Sequence, residues 1–451
     1  MPTLADRLDL VDTLAVLMLE NRSFDHLLGS LSLPGGGVPE VDGLREDAEF
    51  RASATNSGYA PFPWGGRPLL PSVDLPPHER DAIAAQLGGP TRPVNGFVDA
   101  FHRFPAGRGA PDDGAPPEVM GYLTAAEAPV SHFLARNFTI CDRWFPPLPA
   151  STQPNRLMAL SGTTLRAWTK EGSHNLLAHQ RLVFDWLEAH QPAIRWRVYH
   201  DGFPFLTLMP SQHERILFGP YRRLSQLADD VAREPDATFP QVLFLEPNFS
   251  GVMGQPNDNH PPQPMAFGEE LLRRVYLALS GNPRRWAKTL LLVTYDEHGG
   301  FFDHVAPPAV ATPKPPEPLV EEDYGEPFET LGVRVPALVA SPLVAPGVCH
   351  GLFDHTSFLK LVTERFGLTE RDHPCLDRRS ADGSARVQSL ADLPLADGAR
   401  PPPPPPVVEP ALPVTVERPI PEAHVEAVMA LWNHDPKRAA ERFPELARPL
   451  F

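Results

Sequence analysis

Short apolar runs recur along the chain at 14–19 (LAVLML), 194–199 (IRWRVY), 241–245 (QVLFL), 289–295 (TLLLVTY) and 335–340 (VPALVA). Their brevity and their β-branched or aromatic content predict buried strands. Between them the apolar positions move to a spacing of three to four residues, the helical period. Leu224, Leu227 and Val231 share a face of a helix predicted over 221–233. Leu271, Leu272, Val275 and Leu279 do the same over 268–280, ahead of the turn at Gly281-Asn282-Pro283, and SFLKLVTERF at 357–366 predicts a third helix. Strand and helix alternation of this kind predicts an α/β fold with a mostly parallel, doubly wound sheet flanked by helices.

Two stretches break the pattern. Residues 31–130 are rich in Gly, Pro and short polar segments and read as a cap-like insertion; residues 306–333 form a long loop suited to shaping access to a site. A main domain over 1–395 is followed by a Pro-rich linker at 396–420, whose six prolines at 401–406 favour a stiff polyproline II spacer. The tail, 421–451, places Val425, Val428, Leu431 and Trp432 on one helical side and is expected to pack back on the core.

Composition narrows the class. With 451 residues, 42% of them hydrophobic, the chain can bury a large core. Its 57 prolines exceed twice the usual share, about 5%, and point to long ordered loops, because the apolar runs persist throughout. A formal net charge of -16 argues against a nucleic-acid partner, since such binding relies on clustered Lys and Arg. Cys141, Cys349 and Cys375 have neither a metal-ligand spacing nor an even number, so a reduced compartment is the simplest expectation, with one disulfide plus a free thiol as the alternative. No apolar stretch is long enough for a spanning helix. The start, MPTLADRLDLVDT, lacks a basic n-region and a cleavage site, so cytoplasmic residence is expected, with export by another route as the alternative.

Candidate chemistry lies where the strands end. Glu20-Asn21 closes the first apolar run and Asp296-Glu297 closes the fourth, and each is followed by an aromatic-Asp-His sequence, SFDH and FFDH. Loops beyond the carboxyl ends of parallel strands form the ligand crevice, so two acidic corners there predict one shared metal site. Singly, either corner reads as a strand-end cap. As donors they offer only hard oxygens, which suit a divalent cation. Ser151 and Thr152 precede Pro154 in PPLPASTQPNRLMALSGTT at 146–164, a sequence that opens a helix; a hydroxyl there is either an ordinary cap or a group placed where developing negative charge is stabilised.

In order along the chain, ENRSFDH at 20–26, TQPNR at 152–156 and YDEHGGFFDH at 295–304 resemble the phosphoesterase family of bacterial phospholipases C, plant non-specific phospholipases C and related acid phosphatases. LEPNF at 245–249, NDNHPP at 257–262 and FDHTSF at 353–358 agree, and the resemblance covers roughly residues 10–370. It implies an alkaline phosphatase-like core, a hydrolase of phosphoesters, and one divalent ion of open identity among Ca, Mg, Mn and Zn. Glu20, Asn21, Thr152, Asp296 and Glu297 become the expected metal-site residues, with Thr152 the nucleophile and a phospho-threonine intermediate.

Within the matching segments His132, His260 and His355 are candidate acids for the leaving alkoxide, because imidazole exchanges protons near neutral pH. Asp258, His298 and Arg156 are candidate substrate-binding or supporting residues, while Asp25 and Asp303 are expected to brace their loops. Phosphodiesters with phospholipid head groups are the favoured substrates, which implies transient contact with a membrane surface. Acid phosphatase activity on monoesters, or a non-catalytic metal-stabilised binding role, are the alternatives.

Overall fold

The computed structural model describes residues 2–65, 76–88, 94–103, 116–169, 175–250, 253–312, 328–369, 386–398, 400–410 and 422–447. Eight strands form its main sheet: β1 (Thr13–Leu19), β2 (Thr139–Cys141), β3 (Trp196–His200), β4 (Tyr221–Arg223), β5 (Val242–Glu246), β6 (Thr289–Tyr295), β7 (Ala337–Ala340) and β8 (Gly347–Cys349). Across the sheet they run β8-β2-β7-β6-β1-β5-β3-β4. Only β7 is antiparallel to its neighbours, β2 and β6; the other pairings are parallel. The mixed α/β architecture with a mostly parallel sheet is thus the one the apolar pattern predicts.

β1 and β6 lie at the centre and read as continuous apolar runs because helices and loops cover both of their faces. They pair in register from Thr13 opposite Thr289 to Leu19 opposite Tyr295. Glu20 and Asp296 therefore leave adjacent strands at the same level, which is how residues far apart in sequence come to share a corner. Three helices matter to the site: α1 (Thr152–Ser161), α2 (Met265–Ser280) and α3 (Thr356–Phe366).

The helix predicted over 221–233 is shorter than expected. Tyr221–Arg223 pairs with Val198–His200 as the edge strand β4, and helix proper spans Leu227–Arg233. A sheet edge that accepts Tyr221 into a buried position outweighs the helical spacing of the leucines. β2, β4 and β8 span three residues each, too few to show a period.

The described parts of 31–130 form a separate small core in which Phe50, Ile83, Phe97, Phe101, Val119 and Met120 pack against Phe302. In the tail, Glu422–His434 buries Leu431, and Arg442 donates to the carbonyls of Leu217 and Gly219, both at 2.9 Å. Pro403 accepts from the Tyr276 hydroxyl at 2.8 Å. Cys141 and Cys349 are free and stand opposite each other in the β2–β8 register; Cys375 and most of the 306–333 loop lie outside the described residues. No helix among the described residues is long and apolar enough to cross a membrane.

Candidate active site and metal centre

At the end of β1 the chain turns sharply through Asn21, whose φ of 62° lies in the left-handed region that asparagine tolerates better than most residues. At the end of β6 the turn is made by Gly299 and Gly300, with φ of 66° and 77°. A Cβ on Gly299 would sit 2.3 Å from the Asn21 carbonyl oxygen, and one on Gly300 2.7 Å from Pro77 O. Glycine at both places lets the two corners and the Pro76-Pro77-His78 segment close on one another.

The closure is hydrogen-bonded. Asp296 Oδ1 accepts from the backbone N–H groups of Asn21 (3.3 Å) and Glu297 (2.8 Å), while Glu297 Oε2 accepts from Gly299 N–H (2.8 Å). Asp296, Glu297 and Asn21 are fully buried and Glu20 nearly so. Among the described residues, Asn21 Oδ1 and Glu297 Oε1 have no hydrogen-bond partner. A buried acceptor left unmade costs free energy, and two of them beside two further carboxylates fit the coordination demand of a hard divalent cation.

The TQPNR segment begins α1, and its residues divide the work. Thr152 is the first helical residue and is partly exposed. Asn155 staples the incoming loop, its Nδ2 donating to Ala150 O (2.7 Å) and its Oδ1 accepting from Leu148 N–H (3.1 Å). Gln153 Oε1 accepts from Arg166 (2.6 Å). Arg156, one turn beyond Thr152 and on the same helix face, reaches Asp296 Oδ2 at 3.0 Å and Glu20 Oε1 at 3.3 Å. Its guanidinium stacks over Phe249 of the LEPNF segment, 4.7 Å from the ring centre. The helix start is thereby tied to both acidic corners.

His78 is the residue the sequence did not single out. Its Nδ1 donates to Pro76 O (2.7 Å), leaving Nε2 3.4 Å from Asn21 Nδ2 and 3.9 Å from Glu297 Oε1. Its side chain is 16% exposed against 1% for Glu297, so it stands between the acidic pair and solvent. The adjacent Glu79 accepts from Ser151 Oγ at 2.8 Å, which links this loop to the residue before Thr152. Burial pushes the His78 pKa down, but Glu297 and Glu79 outweigh it and the net direction is up. Burial pushes Asp296 up to about 6 against the pull of Arg156, and Glu297 is held low by His78 and His298 despite its own burial.

The other expected residues fall into two groups. Asp258 and His260 reach the site: Asp258 O accepts from Glu20 N–H (2.7 Å), Asp258 Oδ1 accepts from His260 N–H (3.0 Å), and the His260 ring lies 6.1 Å from that of His78. His298 faces the insertion, bonding Gln86 Oε1 at 2.8 Å with Nδ1 3.2 Å from Glu297 Oε2, so it braces Glu297. His132 is buried in the helix Pro129–Asn137, its Nε2 donates to Leu27 O (2.9 Å), and burial lowers its pKa to about 4. His355 has both ring nitrogens engaged, by Trp144 and by the Asp296 carbonyl.

A second acidic cluster brings ligand atoms of Asp25, Asp303 and His304 within 4.8 Å of one another, an arrangement that could hold a metal ion. Arg334 already supplies positive charge there, 3.0 Å from Asp25 and 3.1 Å from Asp303. Both carboxylates also accept backbone N–H groups, Asp25 from His304 and Asp303 from Val305, which is the loop bracing expected of them.

A family model described as the phosphoesterase family matches residues 11–369. The chain belongs to the phosphoesterase family. It is 31% identical over 392 residues to non-specific phospholipase C3 of Arabidopsis thaliana, covering 80% of this chain and 71% of that protein. Phospholipase C A of Mycobacterium tuberculosis is 29% identical, covering 79% and 73% of the two chains. Among solved structures, a protein in the alkaline phosphatase superfamily from Vibrio parahaemolyticus matches with a TM-score of 0.32 and 10% identity over 70% of this chain and 73% of that one, too distant to bear on the site. Membership makes the chain a phosphoric ester hydrolase.

Proposed function

We propose that this hydrolase cleaves phosphodiesters in the manner of a phospholipase C, with Thr152 as nucleophile and one divalent cation held by Glu20, Asn21, Asp296 and Glu297. The observation that carries this reading is the pair of unpartnered buried oxygens, Asn21 Oδ1 and Glu297 Oε1, beside a helix start that Arg156 ties to the same carboxylates. The phospholipase C names of relatives that align with some four-fifths of this chain favour diesters of lipid head groups over monoesters.

A divalent cation held by these four residues would lower the pKa of a neighbouring hydroxyl and neutralise phosphate oxygens. The chain's own residues do the rest. The Thr152 oxygen attacks phosphorus in line with the departing alkoxide, the P–O bond to that alkoxide breaks, and a phospho-threonine remains for water to hydrolyse in a second displacement. Arg156 holds Glu20 and Asp296 in fixed relation to Thr152. His78 and His260, whose rings lie 6.1 Å apart beside the proposed ligands, are the candidates we favour for protonating the leaving oxygen; His260 is one of the three histidines expected for that task, and His78 is an addition.

A panel of p-nitrophenyl phosphorylcholine against p-nitrophenyl phosphate, with and without chelator, tests the reading. Faster turnover of the diester, lost in chelator and lost in Thr152→Ala, is expected. Preference for the monoester would favour the acid phosphatase alternative, and full activity in Thr152→Ala would remove that residue from the mechanism.

A further inference from the structure

Asp296 is gripped from two sides. Arg156 binds its carboxylate, and His355 binds its backbone, with Nε2 2.8 Å from the Asp296 carbonyl oxygen. Both lines of support border one small cavity beneath the acidic corner, lined by Trp144, Arg156, Thr294 and His355 among others. The other ring nitrogen of His355, Nδ1, lies 3.0 Å from Trp144 Nε1.

That second contact decides the protonation of the ring. An indole N–H only donates, so Nδ1 must accept, and the single ring proton must sit on Nε2, where it is donated to the Asp296 carbonyl. Trp144 and His355 are brought together by strand pairing: Trp144–Phe145 runs parallel to Phe353–Asp354, with Trp144 opposite Phe353 and their rings stacked at 5.9 Å. Immediately after His355, Thr356 donates both its N–H (2.7 Å) and its hydroxyl (2.6 Å) to Asp354 Oδ1, which fixes the start of α3. Trp144 and His355 are both buried.

We propose that Trp144 and His355 form a positioning relay: Trp144 sets the tautomer of His355, and His355 sets the orientation of the Asp296–Glu297 peptide and so the spacing of two of the proposed cation ligands. His355 is then a positioning residue and not the proton donor its FDHTSF segment suggests. The inference rests on reading Asp296 and Glu297 as ligands. Partners that orient metal ligands from behind typically contribute about 10- to 100-fold in affinity.

The test uses the full-length protein stripped of metal, titrated with manganese(II) by calorimetry and followed by long-range proton–nitrogen correlation spectra. His355→Leu and Trp144→Phe should each weaken manganese binding roughly 10- to 100-fold, and the double variant should be no worse than His355→Leu. His355→Gln, whose amide nitrogen can donate from near the place of Nε2, should recover most of the affinity. Wild-type His355 should show the Nε2–H tautomer without metal, and Trp144→Phe should shift it toward Nδ1–H. Wild-type binding with unchanged affinity in a folded His355→Leu, or an Nδ1–H tautomer in the wild type, overturns this inference alone. Wild-type protein that binds no manganese overturns both this inference and the ligand reading beneath it.

Discussion

Arg156 Nε lies 3.0 Å from Asp296 Oδ2, a buried contact that joins the start of α1 to the end of β6. The same guanidinium also meets Glu20, so removing it strands two buried carboxylates. Breaking one partner of a buried ion pair costs about 3–5 kcal/mol. Arg156→Met should therefore lose stability of that order in urea unfolding with chelator present, and recover part of it when a divalent cation is added. An equal loss in both conditions would separate Arg156 from the cation site.

Thr152 carries the hydroxyl on the partly exposed first turn of α1. Thr152→Ala should lower kcat by about 10³-fold or more, as loss of a nucleophile does, with the melting temperature nearly unchanged. Thr152→Ser keeps the oxygen and should retain measurable turnover. Acid-quenched protein should carry the phosphoryl adduct on the peptide containing Thr152, and the alanine variant should carry none.

His78 lies 3.4 Å from Asn21 and 3.9 Å from Glu297, whereas His132 donates to Leu27 O. His78→Gln should reduce kcat/KM by roughly 10²-fold, the lower end of the range for a positioned proton donor. His132→Gln should lower the melting temperature and leave kcat close to wild type. The opposite pattern would return the acid role to His132.

Stability should depend on pH through His304, whose Nδ1 is 2.6 Å from Asp25 Oδ2 and whose Nε2 is 3.2 Å from Asp42 Oδ1. Burial pushes its pKa down, but Asp25 and Asp42 raise it to about 9, above the ordinary 6.5. Between those values the folded chain binds more protons than the unfolded one, so stability from this group is full below pH 6.5 and is lost as pH rises through 9. Asp42 runs the other way: the hydrogen bond from His304 is the main cause that lowers it to about 2, and its contribution is lost only as pH falls toward that value. The melting temperature should fall from pH 7 to 9.5, and His304→Gln should be less stable at neutral pH and flat across that window.

How much of this was legible depends on how local the cause is. The corners after β1 and β6 stood out because an apolar run stops abruptly at acidic residues, and the in-register pairing up to Leu19 and Tyr295 is what makes them one site. TQPNR was recognisable as a motif, but the separate tasks of Asn155 and Arg156 appear only once α1 is placed against the sheet. His78 was invisible: it sits in a proline-rich loop without period, and only its approach to Asn21 and Glu297 gives it meaning. The partner of His355 could not be read locally, because Trp144, which donates to its Nδ1, is 211 positions away in sequence. The edge strand β4 was read as helix because three residues carry no period and Leu224, Leu227 and Val231 do.

Crystals of the wild-type protein soaked in manganese(II), with anomalous difference maps, would locate the cation. A peak is expected at coordination distance, about 2.0–2.6 Å for hard-cation oxygen ligands, from Glu20, Asn21, Asp296 and Glu297, with the Thr152 hydroxyl turned toward it. A peak between Asp25, Asp303 and His304 with none at the first site, or no ordered peak at either, would contradict it.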